Sequence, residues 1–82
     1  MSPEDEKYYE HYFDLFVSEG WKQLVTEIKG ILESHRIEDL KTIEELAYIK
    51  GERAVLNNIA NFETSIRTSY DHILEAENAE EI

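Results

Sequence analysis

Apolar side chains return every three or four positions along almost the whole chain, and after Pro3 no proline interrupts them. That spacing marks one face of a helix, because about 3.6 residues make a turn. Tyr9, Phe13, Phe16, Leu24, Ile28 and Ile31 form a first stripe, with Gly20 in the place between Phe16 and Leu24. Leu46, Ile49, Leu56, Ile59, Ile66, Tyr70 and Ile73 form a second, heptad-like stripe with gaps at Glu52 and at Phe62–Glu63. The fold class that follows is all-α: two long antiparallel helices forming a helical hairpin.

The ends of those helices carry their own signals. Ser2 is a capping residue, Pro3 suits the first helical position, and Glu4, Asp5 and Glu6 complement the positive end of the helix dipole. Thr42 and Glu45 match a capping box at the start of the second helix. The expected layout is a helix over about 3–35, a turn over about 36–41 and a helix over about 42–75. Residues 1–76 are then one domain, and 77–82 an acidic tail that frays. A turn centred near Glu38–Asp39 sets Trp21 opposite Leu56, Ile28 opposite Ile49, Ile31 opposite Leu46 and Phe13 near Thr64.

Glycine inside a helix costs up to about 1 kcal/mol relative to alanine, so each one asks for a reason. One reading makes Gly20, Gly30 and Gly51 points of close helix packing, with Gly20 in the seam and Gly30 facing Ala47. The other puts a kink at Gly20, with Ser18 capping a second helix. Glu52 falls on the second stripe and is a buried polar candidate. It needs a partner there: Lys22, the Trp21 indole N–H, or a cation from a second subunit. Asn57, Asn58 and Asn61 point away from the stripe, either toward solvent or into a polar contact between subunits that fixes register.

A domain of 82 residues buries only about 60% of its unfolded surface, and small domains usually need a staple. With no cysteine, neither disulfides nor thiolate metal sites supply it. The apolar stripes are also wider than one two-helix seam requires. Both points favour a homo-oligomer, a four-helix bundle or a larger helical assembly. Tyr8, Tyr12, Trp21, Val25, Val55 and Phe62 flank the seam and are the interface candidates, whereas Tyr9, Phe13 and Phe16 are expected to pack on Phe62, Ile66 and Tyr70.

Signals for chemistry are missing. The glycines are far apart and make no phosphate-binding loop, and there is no His-Glu-x-x-His. The positions three before His11, His35 and His72 hold Tyr8, Leu32 and Ser69, so no Glu-x-x-His metal motif exists. The expectation is a non-enzyme with no catalytic residue, cofactor or metal. Nineteen Asp and Glu against eight Lys and Arg give a net charge of −11, which opposes direct nucleic-acid binding. No apolar run approaches the ~20 residues of a membrane span, and the acidic N-terminus lacks the basic and apolar regions of a signal peptide. A cytoplasmic location is the default.

The stretch "YFDLFVSEGWKQLVTEI", followed later by "KGERAVLNNIANFETSI", resembles short acidic helical-hairpin proteins encoded by tailed bacteriophages, often among head and tail morphogenesis genes. The resemblance implies a phage origin and a non-enzymatic role in assembly or in managing the host. Its partner is then another phage protein or a host protein, in the infected cell or in the virion. The charge allows an alternative: a small acidic inhibitor or DNA mimic that occupies the nucleic-acid site of a host polymerase or nuclease. Glu6, Glu10, Asp14 and Glu27, with Glu45, Glu63 and Glu75, are the carboxylates for that role.

Overall fold

Ser2 opens the first helix as expected: its Oγ accepts a hydrogen bond from the Asp5 amide at 3.1 Å, with Pro3 and the acidic residues behind it in the first turn. In the computed structural model, which describes residues 1–80, the chain is all-helical. Four α-helices are present among the described residues: α1 (Pro3–Phe16), α2 (Glu19–Ser34), α3 (Ile43–Ala60) and α4 (Phe62–Glu80). A short 3-10 turn, Ile37–Asp39, lies between α2 and α3. α1 packs on α4 and α2 on α3, so the chain doubles back at the segment between Ser34 and Ile43.

Each of the two long helices expected from the stripes is therefore broken once. The first break is at Val17–Ser18, and the Ser18 cap makes it. The Ser18 backbone is extended, its Oγ accepts from the Trp21 amide at 3.2 Å, and its hydroxyl donates to the Leu15 carbonyl at 2.6 Å. Gly20 sits in the first turn of α2, so the reading in which Ser18 caps a second helix holds, with the break just before the glycine. The second break is Asn61, whose amide donates to the Asn57 carbonyl at 3.0 Å while its own carbonyl accepts from the Ser65 amide at 3.1 Å. Hydrogen bonding is thus nearly continuous across that bend.

The Ser18 break slips the helical phase by one residue. The expected seam runs from Phe16 through Gly20, Leu24, Ile28 and Ile31, and of these α2 positions only Ile28 is buried. The inward residues of α2 are Trp21, Val25, Ile28 and Leu32, while Gly20, Leu24 and Ile31 are exposed. Straight helices drift by about 20° per heptad from a fixed seam, and a capped break is one way to reset it. The register changes with the phase. Trp21 meets Phe62 and Glu63, about two turns beyond Leu56, and Phe13 lies on Tyr70 in place of Thr64.

Thr42 caps α3 as expected, accepting from the Glu45 amide at 3.0 Å, but Glu45 reaches back one residue further, to the Lys41 amide at 2.7 Å. The tail does not fray from position 77: α4 runs on to Glu80, and Glu77 pairs with the Met1 amino group. Residues 81 and 82 lie outside the described residues.

The core is thin. Tyr9, Phe16, Trp21 and Ile66 form one buried cluster, with Met1, Tyr12, Phe13, Val25, Phe62, Tyr70 and Ile73 packed around it, and Ile28 is buried farther along α2. No side chain is fully enclosed. The molecule measures 58 × 28 × 17 Å, with a radius of gyration of 17.8 Å. A compact chain of this length would have a radius near 12 Å, so the shape is a rod.

Candidate interaction surface

The polar side chains that do find partners serve the fold. The Trp21 indole donates to Glu63 at 3.4 Å, and Glu63 in turn accepts from the Arg67 guanidinium at 2.9 Å. Arg67 also lies over the Phe13 and Phe16 rings, 5.2 and 5.8 Å from their centroids. Near the turn, Arg53 donates to the Leu32 carbonyl at 2.7 Å and so satisfies one of the free carbonyls at the C-terminus of α2. Among the described residues no group of three or more His, Asp and Glu is placed to hold a metal ion. None of the described helices is long and apolar enough to cross a membrane.

Glu52 is not the buried carboxylate of the seam. Arg53 takes the inward position, and Glu52 sits on the flank, half-buried, with its carboxylate 3.8 Å from His35 Nε2. Neither proposed partner reaches it: Trp21 pairs with Glu63, and Lys22 lies 3.6 Å from Glu19. The glycines are corrected in the same way. A Cβ added at Gly20, Gly30 or Gly51 would meet nothing within 4 Å, so none of them is a point of close packing inside the molecule, and Gly30 does not abut Ala47.

The interface candidates separate into two groups. Trp21 is 8% exposed and belongs to the core. Tyr12, Val25 and Phe62 are half-buried against that core, with Tyr12 and Phe62 in edge-to-face contact at 5.1 Å. They are packing residues, and the slip at Ser18 is what turned Trp21 and Val25 inward. Tyr8 and Val55 are exposed. Partial burial and the neighbouring Tyr12 push the Tyr8 phenol up from its ordinary value. Tyr9, Phe13 and Phe16 pack as expected, with Tyr9 and Phe13 on Tyr70 and Phe16 on Phe62. Asn57, Asn58 and Asn61 are exposed.

Of the exposed apolar residues that matter most, Val55 is an interface candidate, Leu24, Ile31 and Ile59 are assigned to the expected seam, and Tyr48 is passed over. Leu24 and Ile31 project from α2, and Tyr48, Val55 and Ile59 from α3. On α2 the exposed pair continues at helical spacing to His35, and on α3 the half-buried Glu52 lies one turn from both Tyr48 and Val55. Because His35 and Glu52 meet, the two rows lie on one side of the α2–α3 layer. Shallow apolar grooves line α3 here, one formed by Ala47, Tyr48, Gly51, Glu52, Val55 and Leu56, the next by Trp21, Val55, Asn58, Ile59 and Phe62. The seven-residue spacing of Tyr48, Val55 and Phe62 was visible in the sequence. It was masked by the stronger Leu/Ile stripe beside it.

Comparison of the chain with protein-family models, with curated proteins and with solved structures found no match.

Proposed function

We propose that the chain is a non-enzymatic accessory protein of a tailed bacteriophage, a helical hairpin that acts by oligomerising and docking on larger proteins during assembly. The observation that carries this reading is an apolar face left open on a rod with a thin core. The accessible surface is 6515 Å², whereas a compact monomer of 9.7 kDa would expose about 5,100 Å². An exposed apolar face on so small a protein is a contact surface in search of a partner. On this reading the protein needs no cofactor, works in the infected cell and can enter the virion. Mass analysis of purified virions and pull-down from infected cells should recover it with phage structural proteins. Recovery with host nucleic-acid enzymes alone would overturn the reading.

Charge favours a second reading. Residues 1–18 and 61–82 carry eleven Asp and Glu against two Lys and Arg, a net −9, whereas residues 19–60 carry eight against six, a net −2. The acidic half suits a basic groove such as the nucleic-acid channel of a host enzyme. Binding of that kind weakens steeply with salt, and an affinity unchanged between low and high salt would eliminate it.

A further inference from the structure

We propose that a second copy of this chain docks on the α2–α3 face, its α3 antiparallel to the first α3 across a two-fold axis beside Gly51. The inference rests on the reading that the protein acts through self-association, and it names the surface. Tyr48 is 72% exposed and Val55 59%, although both lie in the middle of a helix. The groove between them is lined by α3 alone: Ala47, Tyr48, Gly51, Glu52, Val55 and Leu56.

Three observations select a second copy as the occupant. The first is area. The surface exceeds that of a compact monomer by about 1,400 Å², and a specific interface covers about 800 Å² on each partner, so one such contact accounts for more than half of the excess. The second is charge. Two copies meeting through the α1–α4 half would bring two net charges of −9 together, while the α2–α3 half carries only −2. A basic partner would be drawn to the other half of the rod.

The third is self-complementarity, which an isologous contact demands. Antiparallel helices related by a two-fold axis at Gly51 bring residues equally far on either side of it to the same level. Val55 of each copy is then level with Ala47 of the other and beside its Tyr48, so bulky side chains lie over small ones. Glu44 comes level with Asn58, and no like charges meet there. Gly51 meets Gly51, where two Cβ atoms would hold the helices apart. The antiparallel arrangement also points the two acidic halves toward opposite ends of the assembly. The product is a central α3–α3 pair with one α2 on the far side of each α3.

The chain has no cysteine, so single cysteines report the contact directly. Under mild oxidation Gly51→Cys should give a covalent dimer, and Asp71→Cys, in the acidic half, should not. By sedimentation, Val55→Glu should weaken self-association by roughly tenfold or more while the helical circular dichroism persists, and Tyr8→Glu should leave association unchanged. Gly51→Leu should also weaken association without lowering helicity, because its side chain has open space within one copy. A dimer that survives Val55→Glu, or that cross-links through Asp71→Cys in preference to Gly51→Cys, overturns the assigned face and leaves self-association standing. A wild-type chain that stays monomeric at high concentration overturns both.

Discussion

Stability at the scale of single residues is concentrated at few positions. Phe16 is 3% exposed, with Trp21 at 5.3 Å and Phe62 at 6.0 Å between ring centroids. Truncating a buried aromatic of this kind costs about 3–5 kcal/mol, a large fraction of what a small domain has. Phe16→Ala should therefore abolish cooperative unfolding in urea, whereas Leu24→Ala should leave the unfolding of the single copy nearly unchanged. Ser18→Ala should cost about 1 kcal/mol through loss of its bond to the Trp21 amide, read as a drop of about 4–8 °C in thermal midpoint. The Tyr8 phenol ionises above its ordinary 10.0 because the folded state holds the proton more tightly than the unfolded chain. Stability is therefore unaffected by this group below that value and falls as pH rises past it. An ultraviolet titration that finds Tyr8 ionising at or below the ordinary value, with Tyr8→Phe as the blank, would contradict this.

For the elements, the capped break at Ser18 decides which side chains face inward. In a continuous helix Gly20 would occupy the seam and Trp21 would stand outside it. With the break, Trp21 closes the aromatic cluster that joins α1, α2 and α4, and the glycines are left where a side chain has room. Gly30→Ala in mid-α2 should consequently stabilise the protein by about 0.5–1 kcal/mol, measured as an upward shift of the urea midpoint. A loss of stability would show that Gly30 approaches a neighbouring helix. The same phase slip explains why the stripe read from the sequence was right for α1, while in α2 it held at Ile28 and failed at Leu24 and Ile31. Periodicity extrapolated past a cap carries the phase of the wrong helix.

As a whole molecule the protein is a bipartite rod. One half, α1 with α4, is acidic and holds the aromatic core. The other, α2 with α3, is nearly neutral, has Ile28 as its buried residue outside that core, and is open on one apolar face. The proposed self-association through that face would link folding to concentration. The thermal midpoint should rise with protein concentration, and a midpoint constant over a hundredfold range would speak against association. Salt separates the two halves: it should strengthen or spare the apolar contact between copies while weakening any contact made by the acidic half.

The sequence alone determined that the chain is helical, where α1 and α3 begin, and which aromatics gather in α1, because caps and 3.6-residue periodicity are local properties written in neighbouring residues. It also showed the surplus of apolar surface and the surplus of negative charge. Only the tertiary structure decided that Ser18 and Asn61 break the helices, that Trp21 bonds Glu63, and that Glu52 pairs with His35. It alone placed Leu24, Ile31, Tyr48, Val55 and Ile59 together on an open face. The physical reason is phase. A one-residue slip at a break turns every later side chain by about 100°, and which turned side chains then find partners depends on segments some forty residues away, as Trp21 does with Glu63.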